Sequence, residues 1–196
     1  MLLTVSLVLL AYLMGSLSSA IIMCRLFSLP DPRSQGSGNP GATNVLRFGG
    51  KKIAIMVLTG DILKGLIPVL VATYAGLAPA GIALVGVAAF LGHLYPIFFG
   101  FQGGKGVATA LGVLLGMSWL LGLAMIAVWL VMAVIFRISS LSAITAAICA
   151  PLFTWLLVPD PLSMASVTVM AAFLLIRHKS NISNLLHGKE PRIGEK

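Results

Sequence analysis

The chain has 196 residues, of which 59% are hydrophobic and only 9% charged, against about a quarter charged in an ordinary soluble domain. So short a chain has too little interior to hide that much apolar side chain, which excludes a water-soluble globular fold and makes lipid the solvent for most of it. Thirteen Lys and Arg against five Asp and Glu leave a net charge of +8. The basic residues sit between apolar runs, so the predicted partners are membrane lipid and small anionic substrates rather than nucleic acid.

In chain order, residues 2–26 predict a first membrane span. It has no basic stretch ahead of it and reads as a retained helix rather than a removed signal peptide. Residues 28–52 form a polar loop rich in Gly, Pro, Asn and Arg. Spans follow over 53–74 and 80–99, then a glycine-rich loop over 100–106. Residues 107–136 are apolar throughout, further spans cover 139–158 and 163–176, and 177–196 is a polar tail.

The basic residues choose an orientation. Arg25, Arg33, Arg47, Lys51 and Lys52 flank the first loop, and Lys105 and Arg137 lie in later ones. Arg177, Lys179, Lys189, Arg192 and Lys196 lie in the tail, and Lys64 lies inside the second span. The other connections, near 75–79, 116–119 and 159–161, carry no Lys or Arg and only Asp160. The positive-inside rule then puts the N-terminus outside and the C-terminus inside. Lys105 and Arg137 share a side only if 107–136 crosses an even number of times. That predicts a hairpin turning near 116–120, with legs of about 15 residues and about 22 Å, shorter than the ~30 Å hydrocarbon core. The expected fold is an all-α polytopic bundle of about seven membrane segments, one or two of them short, in a single integral-membrane domain over 1–196.

Gly112, Gly116, Ser118 and Gly122 repeat small residues at helical spacing, which suits close packing in the bundle or a homodimer contact. Cys24 and Cys149 lack metal or disulfide spacing and read as packing residues. No cluster of metal ligands is visible, so neither a metal nor a cofactor is expected. Asp61 and Lys64, three residues apart inside a span, predict a buried polar pair that His93 can join.

Three segments carry polar side chains beyond what topology needs. The first holds Ser37, Gly38, Asn39, Gly41, Thr43, Asn44 and Arg47: hydroxyl, amide and guanidinium groups that suit phosphate oxygens, in a loop that is otherwise a turn between helices. The second holds Gly103, Gly104, Lys105 and Gly106 just before a helix start. Free backbone N–H groups and the helix dipole converge there beside an ammonium; a glycine hinge is the alternative. It is not a Walker A loop, because Phe99 and Gly106 stand where Gly and Ser or Thr would be needed. The third holds Arg177, His178 and Asn181, with His178 where a span leaves the membrane; a base, a phosphate ligand and an interfacial side chain are all open to it.

Together these segments resemble the acyl-phosphate-dependent glycerol-3-phosphate acyltransferases, the small bacterial membrane enzymes called PlsY. Residues 37–47 match the family's SGNxGATNxxR, 92–109 its GHxxPxFFxFxGGKGVAT and 177–182 its RHxxNI, in order along essentially the whole chain. Asp61-x-x-Lys64-Gly65 also agrees, and residues 29–33 look like the enterobacterial-type branch.

The resemblance implies acyl transfer from acyl phosphate to glycerol 3-phosphate, giving lysophosphatidic acid and phosphate, in a bacterial inner membrane with the site at the cytoplasmic face. It implies a peripheral acyl-phosphate-producing synthase of the PlsX type as partner, no cofactor, glycerol 3-phosphate on the 103–106 loop, and essential roles for Ser37, Arg47, His178 and Asn181. Lys105 is expected to act as a point charge beside the glycine N–H groups, and Asn181 to orient His178. The proton acceptor is either His178 or a substrate phosphate oxygen. A transporter of organic phosphates is the rival reading, but it would need polar groups in the outer half of the bundle, which is almost purely apolar.

Overall fold

The computed structural model describes residues 1–194, so Lys196 lies outside the described residues. Among them the regular structure is helical: α1 Leu2–Gly15, α2 Ser19–Leu26, α3 Ala42–Tyr74, α4 Pro79–Leu94, α5 Val107–Met117, α6 Trp119–Phe136, α7 Ser139–Leu157, α8 Pro161–Arg177 and α9 Lys179–Leu186, with single 3₁₀ turns at Pro32–Ser34 and Ile97–Phe99. Among the described residues four helical stretches are long and apolar enough to cross a membrane: Ala42–Tyr74, Pro79–Phe99, Trp119–Phe136 and Ser139–Leu157. The bent pairs α1 with α2 and α8 with α9 raise the number to six, and α5 is a shorter apolar helix. Large apolar side chains such as Leu9, Val134 and Trp155 stand exposed around the bundle, a surface that only lipid would solvate.

Three boundaries differ from the sequence expectation, each for a local reason. The first apolar run is two helices meeting at 45°. The Ser18 hydroxyl accepts from the Ile21 N–H at 3.4 Å and so starts a new helix inside the predicted span. The polar loop ends early, because α3 begins at Ala42 and bends at Gly50 (φ 80°, ψ 172°) before entering the apolar stretch. The predicted hairpin forms and turns at Ser118, whose hydroxyl caps α6 through Leu121 N–H at 3.4 Å. Its legs are unequal, 11 and 18 residues, or about 16 and 27 Å at 1.5 Å per residue. Gly106, in the left-handed region (φ 90°), starts α5 where the apolar run begins, so the inequality comes from the early turn at Ser118.

Small residues bring the helices together. A Cβ on Gly112 would lie 2.0 Å from the Ile62 carbonyl oxygen, and one on Gly65 2.2 Å from that of Thr109. The small-residue repeat therefore packs α5 against α3, inside the bundle. Gly15 and Gly92 do the same for α1 and α4, where added Cβ atoms would lie 2.1 and 2.3 Å from the carbonyl oxygens of Ala89 and Tyr12.

The expected polar pair forms. Lys64 Nζ lies 2.8 Å from Asp61 Oδ1, with both side chains at most 5% exposed. Lys64 also donates to the Leu17 carbonyl at 2.8 Å, an acceptor released by the break between α1 and α2. Breaking a buried pair leaves the partner charge uncompensated. Lys64→Met should therefore lower stability by about 3–5 kcal/mol, and joint replacement with Asp61→Leu should recover most of the loss. Thermal unfolding of the detergent-solubilised variants measures both.

Candidate active site

The basic loops meet at one end of the bundle. The Arg33 guanidinium donates to the Phe99 carbonyl at 3.3 Å, and Arg25 lies over the Phe99 ring at 5.8 Å. Arg177 binds the glycine loop, and Lys105 reaches α9. The 37–47, 103–106 and 177–181 segments, far apart in sequence, therefore share one mouth.

The first loop is folded around Asn44, which is 2% exposed. Its Nδ2 donates to the carbonyls of Pro32 and Gln35, each at 2.9 Å. Its Oδ1 accepts from the Ser37 N–H at 2.9 Å. The Asn44 amide, expected among the phosphate ligands, is thus turned into the loop and shapes it. Gly36 (φ 54°) passes so close to Asn44 that a Cβ there would lie 2.4 Å from its Oδ1. The result is an exposed rim of Ser37 and Gly38, with Asn39 half-buried behind it and Gly41 opening α3. Thr43 Oγ1 stands 3.5 Å from Ser139 Oγ at the start of α7. Arg47, one turn further along α3, is exposed.

The glycine loop is held from two sides. Arg177 donates through Nη2 to the Gly103 carbonyl at 2.7 Å and through Nε to the Gly104 carbonyl at 3.3 Å. On the other side, the Gly104 N–H donates to the His93 carbonyl at 3.2 Å. With those groups spent, the N–H groups of Lys105 and Gly106 have no acceptor among the described residues. They stand at the N-terminus of α5, where the helix dipole adds positive potential. A polar cavity of about 280 Å³ opens beside this strand, lined by residues of both loops (Gly38 and Gly103 among them) and by Arg33 and Arg177.

Lys105 Nζ donates to Asn181 Oδ1 at 2.5 Å. Asn181 Nδ2 in turn donates to Glu190 Oε1 at 2.6 Å, and Ser140 Oγ donates to the same oxygen at 2.6 Å. Glu190 was not singled out by sequence reasoning; its only signal was an acidic residue in a basic tail. Burial pushes the Lys105 ammonium below its ordinary value, and the charges of Arg177 and Arg47 act the same way, while Glu190 opposes them.

His178, just past the end of α8, is 3% exposed. Its Nδ1 lies 2.8 Å from the Leu174 carbonyl. A carbonyl can only accept, so Nδ1 carries the proton and Nε2 is left as an acceptor. The ring takes its orientation from Leu174 rather than from Asn181, whose amide is committed to Lys105 and Glu190. Burial pushes the ring down to about 4; Lys105 and Arg177 add to the effect, and the Leu174 hydrogen bond and Glu190 oppose it. The arrangement offers a half-buried ammonium and two free N–H groups on the glycine loop, with a buried neutral imidazole acceptor on the adjoining 177–181 segment. That set suits an anionic substrate bearing a hydroxyl.

The comparisons with known proteins agree with this chemistry. Residues 5–188 match the family model for glycerol-3-phosphate acyltransferase. A glycerol-3-phosphate acyltransferase of Thioalkalivibrio sulfidiphilus is 60% identical over 196 residues, covering 100% of this chain and 97% of its own. One from Vibrio cholerae serotype O1 is 50% identical over 194 residues, covering 99% and 92%. Among solved structures, PlsY (YgiH), an integral membrane glycerol 3-phosphate acyltransferase, is similar in its glycerol 3-phosphate form. It has 43% identity and a TM-score of 0.94, over 97% of this chain and 96% of that one. Its lysophosphatidic acid form gives 42% and 0.91, over 97% and 95%. On this match in sequence and fold, the chain belongs to the glycerol-3-phosphate acyltransferase family and is an integral membrane protein.

Proposed function

We propose that this chain transfers a fatty acyl group from acyl phosphate to the 1-hydroxyl of glycerol 3-phosphate, releasing lysophosphatidic acid and phosphate. The observation that carries the reading is the glycine loop: Lys105 beside two unpartnered backbone N–H groups at the start of α5, with its ammonium aimed by Asn181. Glycerol 3-phosphate puts its phosphate there, with Arg47 and the Ser37 rim facing the acyl phosphate. Gly38, Asn39, Gly41 and Thr43 shape that rim, and Asn44 braces it. The full motif match and the PlsY relatives support acyl phosphate as the donor. A peripheral acyl-phosphate synthase of the PlsX type supplies it. The gathering of basic loops at one end supports a seven-segment topology, N-terminus outside, with the mouth at the cytoplasmic face of a bacterial inner membrane.

The step needs no acyl-enzyme. The 1-hydroxyl oxygen bonds to the acyl carbonyl carbon, the bond from that carbon to the phosphate oxygen breaks, and the electron pair leaves on phosphate. His178 Nε2 accepts the hydroxyl hydrogen bond and aims the nucleophile. A ring at about 4 is a weaker resting place for the proton than a phosphate whose second ionisation lies near about 6, so the departing phosphate takes it. Catalysis is then positioning and charge neutralisation. The fatty chain lies in the apolar groove of about 340 Å³ between α6 and α7, where Val128, Val131 and Phe153 line the wall. Met132, about one turn before the end of α6, and Thr145, less than two turns past Ser139, lie at its end nearest the mouth.

Purified protein given acyl phosphate and glycerol 3-phosphate should make lysophosphatidic acid with sequential kinetics and should not use acyl-CoA. A trapped acyl-Ser37 would overturn direct transfer. Lys105→Met should lower kcat/KM by roughly 10²–10³ while leaving the fold intact by thermal unfolding. Val131→Trp should cut kcat/KM for a long-chain donor about tenfold relative to a medium-chain one. The His178 ring is pushed below its unfolded value of about 6.5, so the folded state favours the neutral form. That contribution is complete above about pH 6.5 and is lost as pH falls towards 4. The unfolding midpoint should fall over that window, and less steeply in His178→Gln.

A further inference from the structure

His93 lies deeper in the bundle than the mouth and has no part in the step above. It is 7% exposed, and Asp61 and Lys64 beside it are 3% and 5%. Ionisable groups in such an interior are costly and call for a reason. The two edges of the ring face different things. Nδ1 stands 3.7 Å from Asp61 Oδ1, longer than a hydrogen bond, so the carboxylate attracts that edge without locking it. The opposite edge faces the glycine loop: a Cβ on Gly104 would lie 2.2 Å from His93 Nε2 and 2.8 Å from Cε1. The backbone makes the same contact, since the Gly104 N–H donates to the His93 carbonyl at 3.2 Å, and a Cβ on Gly103 would lie 2.0 Å from that oxygen.

We propose that His93 is a positioning residue for the acyl-acceptor site: its ring, seated against the Asp61–Lys64 pair, sets the depth of the Gly103–Gly104 strand and so aims Lys105 and the free N–H groups at the glycerol 3-phosphate phosphate. The inference rests on the reading that this loop holds that phosphate. Arg177 draws the two glycine carbonyls outward, and the imidazole stops the strand from sinking inward. The loop's height is thus the distance between an arginine and a histidine. Gly104 has no side chain because the ring occupies its place. Lys64 anchors the support at the far side through Asp61 and the Leu17 carbonyl.

The contact can be taken apart and rebuilt. His93→Asn keeps an amide atom where Nδ1 faces Asp61 and removes Cε1 and Nε2, the two atoms on which Gly104 rests. Gly104→Ala pushes a methyl into the space those atoms fill. The Pro40 carbonyl, 3.2 Å from that Cβ, has to give by only a few tenths of an ångström. Steady-state kinetics with glycerol 3-phosphate varied should show each single variant raising its KM about tenfold with a much smaller change in kcat. The double variant should return to within about threefold of wild type, because the methyl refills the space left by the ring. His93→Gln, long enough to reach the Nε2 position, should keep a near-wild-type KM and serves if Gly104→Ala does not fold. A double variant no better than the product of the singles, or His93→Asn with wild-type KM, overturns the inference. A wild-type protein that acylates no glycerol 3-phosphate sinks the proposed function instead, and the inference with it.

Discussion

Lys64 is where the bundle settles the problem of charge in a low-dielectric interior. Its ammonium is held by Asp61 from its own helix and by the Leu17 carbonyl from the break between α1 and α2. An intact helix would have kept that carbonyl for its own ladder, so the break and the buried lysine satisfy each other. The contact joins α3 to the α1–α2 bend on one side, and through Asp61 and His93 to α4 on the other. Close approaches at Gly15, Gly65, Gly92 and Gly112 then bring α1 to α4 and α3 to α5. Without a hydrophobic force between helices in lipid, such contacts and the few polar bonds carry the association.

The mouth repeats this arrangement nearer water. Arg33 is paired with Asp31 at 2.7 Å, but Arg177 and Lys105 are held by backbone carbonyls and an amide rather than by carboxylates. Arg177 spends its guanidinium on Gly103 and Gly104, and Lys105 on Asn181. Glu190 stands behind Asn181 and Ser140 instead of against the lysine itself. The site therefore keeps a surplus of positive charge while its side chains stay oriented. That preorganisation means an entering anion need not reorder them. The same burial that lowers Lys105 holds His178 neutral, so acceptor and cation coexist on adjoining segments.

Much of the site was legible because its residue types are costly where they occur. Asn, Gly, Ser and His beside apolar runs have no reason to be there unless they bind or shape something, and Asp61 with Lys64 announced their pairing by spacing alone. Which partner each would take was less legible. Asn44 looked like a ligand and proves to be the clasp of its loop. Asn181 looked like the orienting partner of His178 and instead bridges Lys105 to Glu190, while Leu174 sets the imidazole. An amide presents the same groups whichever way it turns, and only the neighbours brought by folding choose between them.

The sequence by itself determined the solvent, the helical class and the end of the bundle at which charge collects, because hydropathy and the bilayer act on each segment independently of the others. It also placed the hairpin, since two basic loops on one side demand an even number of crossings between them. Tertiary structure decided what is relational: the break at Ser18, the early start of α3, the unequal legs around Ser118, and the seating of Gly104 against His93. Each depends on a cap, a left-handed glycine or a neighbouring helix, and each changes where a group points without changing how apolar its segment is. Composition therefore reports the membrane and the charged end of the bundle, and packing reports how the groups of the mouth are aimed.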